Sequence, residues 1–518
     1  MVMFLKHGVA IVAEIDSPRT AMANSCFDPR AEESDHNVAF DMLADPFRRR
    51  LLTAAALTTA GGALAAAGIP LPSLAASAGR AAGAIHGFAG IPPSSADAVV
   101  LAADHAASLL FAWGDPISDG PRARPDAGDD AAAQMQQAGM HHDGMHFFPF
   151  VDNGKPSSTH GLLCINHEYT DDGLLHSSGM QDWSAEKVAK SKAAHGVSVI
   201  EVRRDQDGWQ VVRPSRLARR ISADTPCRIS GPARNHPALT TATDRRGEVV
   251  LGTVNNCAMG VTPWGTYLTC EENFNGYFGA TAAGYVRSAE QIRYGVNVNS
   301  SYGWFRFDPR FDISNPDYAN EANRFGWVVE IDPFDGSAKP VKRTALGRFK
   351  HEGAEVTVGR GGRAVVYMGD DQVNDYIYKF VSAKNWKAMR AQGKSPLDEG
   401  TLYVAKFHDD NTGEWLPLTP DNPALAGKSM EEILVFTRIA ADLVGATPMD
   451  RPEWVTTNPY GDVFCALTNN SRRVEDNAAN PLAPHPYGHI IRWRDRENHA
   501  GTTFQWDIFF LARASHSD

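Results

Sequence analysis

From about residue 87 onward the chain is cut into short apolar runs separated by Gly, Pro, Asn and Asp. Runs rich in Val, Ile, Tyr, Phe and Thr and bounded by such residues form strands. The pattern predicts strands at 99–101, 161–165, 197–202, 210–212, 249–254, 266–269, 327–331, 364–368, 376–381, 402–406 and 464–467. Two stretches read as helices instead, 185–194 and 385–392. Many short strands with turn signals between them point to an all-β fold: a sandwich, a barrel or a propeller. A chain of 518 residues favours the propeller with short helical insertions. No clean repeat period is visible, which excludes a WD40-type array.

Composition supports an ordered core. Hydrophobic residues make up 43% of the chain and charged ones 21%, outside the range of disordered chains. The net charge of -11 argues against a nucleic-acid partner and suits a protein that gathers carboxylates around cations. The six cysteines, Cys26, Cys164, Cys227, Cys257, Cys270 and Cys465, show no CxxC and no zinc-finger spacing. In an oxidising compartment one pair could form a disulfide, which sequence alone does not assign.

Residues 1–46 are irregular and mixed in charge. Arg48, Arg49 and Arg50 then precede a mildly apolar Ala/Leu/Thr/Gly run that ends at Ile69, with small residues near Ala75 and Ala76. The segment 47–76 reads as a twin-arginine export signal. A short membrane anchor is the alternative, but the run is weakly hydrophobic and is followed by Pro70 and Pro72. No other run approaches the ~20 apolar residues of a spanning helix. The expected mature protein is residues 77–518, soluble and delivered to the periplasm or the outside.

The stretch 255–278, NNCAMGVTPWGTYLTCEENFNGYF, places an alternating strand between a Pro-Trp-Gly turn and the pair Glu271 and Glu272. Strand side chains alternate between faces, so Tyr267, Thr269 and Glu271 face one way and Thr266, Leu268 and Cys270 the other. One of the two glutamates, at most, then points at a given ion. An ordinary acidic loop after a core strand is the competing reading. Other segments also concentrate metal-capable groups: 140–146 with His141, His142, Asp143 and His146; 163–169 with Cys164, Asn166, His167 and Glu168; 349–355 with Lys350, His351, Glu352 and Glu355; the hairpin with Asp370, Asp371 and Asp375; 447–454 with Asp450, Arg451 and Glu453; and Asn469 with Asn470. On a strand, Cys164, Asn166 and Glu168 share a face. A thiolate suits iron, zinc or copper, whereas carboxylates suit calcium or magnesium. A buried structural thiol is the alternative for Cys164. His485 and His489 are read as serving the fold.

In this order the motifs resemble the PhoX-type alkaline phosphatases. The matching segments include WGDPI (113–117), GMHHDGMHFFPF (139–150), NHEYT (166–170), ISGPA (229–233), the 255–278 stretch, FKHEGAE (349–355), ATPMDRPEWV (446–455), ALTNN (466–470) and PYGHIIRW (486–493). The resemblance implies a β-propeller of about six blades whose funnel holds iron and calcium joined by a bridging oxo group. It implies hydrolysis of phosphomonoesters outside the cytoplasm by direct attack of a metal-bound oxide or hydroxide. On its terms Cys164 binds iron, and Glu168, Glu271, Glu272, Glu352, Asp370 and Asp371 are candidate metal ligands. Lys350 and Arg451 would stabilise phosphoryl oxygens, with an ion pair to Asp450 or Glu453 as the alternative for Arg451. Asn166, His167, Asn273, His351, Asn469 and Asn470 would support ligands or substrate.

The resemblance fades after about residue 511. Family members continue with further strands, so the expectation is an incomplete ring with exposed sheet edges, weaker metal retention and lower stability. Two other readings stay open. One is a non-catalytic propeller that binds or scaffolds. The other is a calcium-propeller hydrolase of different specificity, which would have little use for a thiolate.

Overall fold

The computed structural model describes residues 90–513, apart from 93 and 104, together with the strands Val2–Leu5 and Val9–Ala13. The 47–76 segment lies outside the described residues. Among them no helix is long and apolar enough to cross a membrane.

Three sheets dominate. A five-stranded sheet runs His142–Asp152, Lys155–His167, Gly196–Asp205, Gly208–Val211, with Arg219–Ile221 beside the third of these. A six-stranded sheet runs from Asn256–Val261 through Tyr267–Glu271, Val328–Ile331, Val341–Arg343 and Pro226–Ser230 to Val249–Leu251. A nine-stranded sheet begins at Glu355–Gly359 and ends at Pro452–Thr457.

Alternation explains how the sheets stack. In Gly196–Asp205, Val197 and Val199 pack into a cluster shared with Tyr267 and Ile331 of the six-stranded sheet. Ile200 and Val202 pack on the other face with Phe111 and Leu163. In Arg363–Gly369, Val365 and Tyr367 face one cluster while Val366 and Met368 face another. Strands buried on both faces read as near-continuous apolar runs, which is why the sequence marks them so clearly. Each buried Val or Ile contributes about 1.5–3 kcal/mol relative to exposure.

The first strand of each sheet, His142–Asp152, Asn256–Val261 and Glu355–Gly359, faces a shared centre, and Pro452–Thr457 joins them. Close backbone approach there requires glycine. A Cβ on Gly144 would lie 2.8 Å from the Ala258 carbonyl carbon, and one on Gly260 would lie 1.9 Å from Ala354 O.

The fold is mostly β with short helices, as the strand pattern predicts. The nine-stranded sheet departs from a set of separate blades. It consists of two antiparallel meanders, 355–417 and 452–511, joined because Thr412–Pro417 pairs with Thr503–Leu511. The sheet curls until its ends meet, where Thr457 donates to Glu355 Oε1 from N at 3.0 Å and from Oγ1 at 2.7 Å. Thr503–Leu511 pairs along its length with His489–Asp495 and, over Thr503–Gln505, with Thr412–Glu414. Trp415, Trp493, Phe504 and Trp506 fill the interior of this curl, and their bulk holds it open as a packed barrel-like unit.

Helix Ala185–Ala194 has the bounds its sequence predicts, capped by Ser184 Oγ on Lys187 N at 3.4 Å. The strand predicted at 99–101 is loop, and the strand in that region is Ala107–Ala112. The 140–146 segment, read only as a cluster of ligands, begins the long strand His142–Asp152.

A candidate metal centre where three sheets meet

All three sheets send acids to the centre. Asp143 comes from the inner strand of the five-stranded sheet, and Glu168 follows its neighbour Lys155–His167. Cys257 comes from the inner strand of the six-stranded sheet, and Glu272 follows Tyr267–Glu271. Glu352 and Glu453 come from the two ends of the nine-stranded sheet. Ligand atoms of Asp143, Glu168 and Cys257 lie within 4.8 Å of one another, as do those of Cys257, Glu272 and Glu352. Cys257 Sγ is 3.0 Å from Asp143 Oδ2 and 3.4 Å from Glu352 Oε1, so the thiol sits at the junction of the two groups.

The acids are held under electrostatic stress. Burial pushes the Glu168 carboxyl well above the usual range, and Asp143, Glu272, Glu453 and Asp371 add to it. Burial likewise raises Glu352, helped by Glu453 and Glu272. Glu272 rises for the same reason, with Asp371 adding to the effect and Lys350 opposing it. Glu453 is pushed up to about 8 by burial and by Asp371. Glu272 Oε1 and Glu352 Oε2 are buried and accept no hydrogen bond. Buried carboxylates in native proteins are paired or bind metal. This donor set, carboxylates around one thiol, therefore fits cations.

The surrounding residues orient the cluster. Asn166 donates from Nδ2 to Cys257 O at 2.6 Å and Ala258 O at 3.0 Å, fixing the strand that carries the thiol. Its Oδ1 accepts from Tyr267 OH at 2.9 Å and Thr269 Oγ1 at 2.8 Å. Asn273 donates to Glu272 and accepts from Lys350 Nζ at 2.8 Å. Lys350 also donates to Gln372 Oε1 at 2.9 Å. Its ammonium is thus bound to neutral amides at the edge of the acidic cluster, and burial lowers its pKa while Glu272 opposes that. Arg451 grips Asp371 with two bonds of 2.9 and 2.7 Å and lies 3.5 Å from Glu453. The expected partner Asp450 is taken by Arg473 instead. His141, Asn255 and Arg451, each within two residues of a cluster member, have φ of 46°, 50° and 57°. Left-handed backbone at bulky residues is strained and concentrates at functional sites.

Several sequence readings need correction. Cys164 is not in the cluster. It packs among Phe148, Val197, Val199 and Tyr267, and burial pushes its thiol up to about 12. It shares a face with Asn166 as expected, but Tyr267 occupies that face and the strand reaches the centre only at Glu168. Glu271 is also excluded. Lys342 Nζ holds its Oε1 at 2.6 Å, and Gly326 N and Trp327 N donate to Oε2 at 2.9 and 3.1 Å. Alternation along the strand separates it from Glu272. Asp370 is consumed by Arg438, which bonds both its oxygens. Asp371 faces the cluster but is shared with Arg451.

His351 stacks on Phe349 at 3.7 Å and lies 3.0 Å from Gly347 O, and burial lowers its imidazole to about 3. His167 meets Ser198 Oγ at 2.7 Å. Both are packing histidines. Asn470 bonds Asn374 Oδ1 at 3.0 Å. Asn469 is half-buried beyond Val463–Leu467, and its neighbour Thr468 makes the contact with Glu453, at 2.5 Å. The sequence reading did not choose Asp143, Cys257 and Glu453 as ligands, although each lies in a segment it singled out. For Cys257 a signal existed: it sits across the hairpin from the CEEN acids. All five cysteines among the described residues are reduced and buried.

Residues 86–518 match the family model for alkaline phosphatase PhoX. The chain belongs to the PhoX family of alkaline phosphatases. A solved structure, Pseudomonas fluorescens PhoX in complex with vanadate, a transition state analogue, is 47% identical, with a TM-score of 0.77 over 81% of this chain and 75% of that one. None of the curated proteins matches. As a PhoX family member the chain is a metal-dependent phosphatase that acts on phosphate esters, and the acidic centre is where its three sheets converge.

Proposed function

We propose that this chain is an exported phosphomonoesterase whose acidic centre holds iron and calcium. The observation that carries this reading is the convergence of Asp143, Glu168, Glu272 and Glu352 on one thiol, Cys257, with buried carboxylate oxygens left without donors. Hard carboxylate oxygens suit calcium, and a single thiolate suits iron. Bound there, the cations would neutralise phosphoryl oxygens and lower the pKa of water.

The chain's own residues supply the rest. Lys350, poised on Asn273 and Gln372, places a positive charge where equatorial phosphoryl oxygens gather charge. Arg451 holds Asp371 and lies beside Glu453, which places a second positive charge at the acidic centre. Asn273 couples Lys350 to Glu272, so the anion-binding cation and the acid move together. No Ser or Thr nucleophile is required. The nine-stranded sheet, sealed by its own ends, gives Glu352 and Glu453 a rigid mount.

Segment 47–76, with Arg48 and Arg49, supports export by the twin-arginine machinery, which carries folded and metal-loaded proteins, and hence a periplasmic or secreted location. Residues 77–518 form the proposed mature phosphatase. The deciding experiment is metal analysis of the protein as isolated together with aryl-phosphate hydrolysis at alkaline pH, with and without chelator. Iron, calcium and chelator-sensitive turnover are expected. Bound metal without turnover would instead indicate a binding protein. Replacing Arg48 and Arg49 by lysine should retain the protein in the cytoplasm.

A further inference from the structure

A second place in the molecule buries ligand atoms without partners. Asp450 ends the short strand Met449–Asp450, His485 bridges to Asn470, and His489 opens the strand His489–Asp495. Their ligand atoms lie within 4.8 Å of one another. Asp450 and His485 are fully buried, and His489 is 3% exposed. Arg473 Nε takes Asp450 Oδ1 at 2.5 Å, but Oδ2 accepts no hydrogen bond. Neither ring nitrogen of His485 has a hydrogen-bond partner, and nor does His489 Nδ1. Leaving such buried atoms unpaired is costly, which makes a bound ligand the natural way to satisfy them.

The geometry resembles a ligand set more than an ion pair. His485 Nδ1 is 3.4 Å from Asp450 Oδ2, longer than an ordinary N–H···O hydrogen bond of about 2.7–3.2 Å. It is close to the edge of a tetrahedron built on metal–ligand bonds of about 2.1 Å, which is roughly 3.4 Å. His489 Nε2 lies 2.9 Å from Ala479 O, so that nitrogen donates and Nδ1 presents its lone pair. This is the arrangement in which a backbone carbonyl fixes the tautomer of a metal-bound histidine. The two rings stack at 5.1 Å and 23°.

We propose that Asp450, His485 and His489 bind one first-row divalent cation, zinc foremost, in a structural site that shares no ligand with the acidic centre. Two imidazoles and a carboxylate suit zinc and leave a fourth position for water. The ion would pin the strand end at Asp450 to the segment 485–489 and hold the turn at Arg451, whose φ is 57° and whose guanidinium reaches Asp371. The site would therefore brace the acidic centre from behind.

The test uses the full chain in its metal-loaded form, equilibrated with zinc alone and analysed for metal. One zinc per chain beyond the metals of the acidic centre is expected. His489→Gln and His485→Gln should weaken it by more than about 100-fold, while Glu272→Gln keeps it. A zinc content equal in wild type and His489→Gln, or no such zinc in wild type, overturns the proposal. Should the histidine variants fail to fold, cobalt substitution of the wild-type chain decides. Visible bands of a tetrahedral nitrogen and oxygen site, persisting in Cys257→Ser, support the site. A spectrum carrying only thiolate charge transfer, lost in that variant, overturns it.

Discussion

The interior of the nine-stranded sheet and the centre between the sheets both bury charge, and they handle it in opposite ways. Inside the curl, Lys379 Nζ meets Asp495 Oδ2 at 2.5 Å and Gly501 O at 2.6 Å. Tyr367 OH and Trp415 Nε1 complete the carboxylate at 2.8 and 2.9 Å. The protein answers each charge with its own groups. In the centre, burial raises the carboxyls of Glu168, Glu272, Glu352 and Glu453, with neighbouring acids adding to it, and the nearby cations Lys350 and Arg451 are tied to amides and to Asp371. Glu271 and Glu272 repeat this contrast one residue apart, the first satisfied by Lys342 and the second left with a bare oxygen. A closed set of partners makes a structural element, and an open one makes a place for a ligand.

The sharpest way to break that comparison is to remove charge from each side. Glu352→Gln or Glu272→Gln should cut phosphatase activity by about 10³-fold or more and lower metal content, with stability little changed. Kinetics paired with metal analysis reads this. Asp495→Ala should do the reverse. It strands Lys379 in the curl and should cost about 3–5 kcal/mol of stability, seen in denaturant unfolding, while the folded fraction keeps its activity per metal. Lys350→Met should lower kcat by about 10²-fold and leave the metals in place, which separates anion binding from cation binding.

The two regions should also respond differently to pH. Carboxylates of the centre have folded pKa values above their unfolded ones, so the folded state favours their protonated form. Their contribution is present below about 4.5 and is lost as pH rises through about 8, the value for Glu453. Chelated protein should therefore lose thermal stability across that window, and added calcium should flatten the slope. A chelated protein whose stability is flat or rises there would remove the open set from the centre. The smallest effect is expected for Cys164→Ala, which should leave activity within about two-fold because burial in a packing cluster, not ligation, explains that residue. A large loss of bound metal in this variant would reverse the assignment in favour of Cys164 over Cys257.

Local physics set what was legible. Strand alternation and turn residues marked Gly196–Asp205 and Arg363–Gly369, since both of their faces are apolar. The run 185–194 marked its helix, and the structure adds Ser184 as its cap. Several of the motif segments meet at the acidic centre, and alternation along the CEEN strand puts Glu271 and Glu272 in different surroundings, the first on Lys342 and the second in the cluster. The particular ligands were less visible. Nothing near Cys164 in sequence says that Tyr267 fills the face it presents, and nothing near Asp370 names Arg438 as its partner.

Chain chemistry by itself determined an all-β molecule that carries acids and a thiol to the ends of its strands, because alternation and turn propensity are local. Tertiary structure alone decided which of those acids stay bare. That depends on whether a Lys, an Arg or a backbone N–H from a distant strand arrives first, as Lys342 does for Glu271 and nothing does for Glu272 Oε1. It also decided that the last two meanders close on each other, since strand pairing between 412–417 and 503–511 is a contact no local signal encodes.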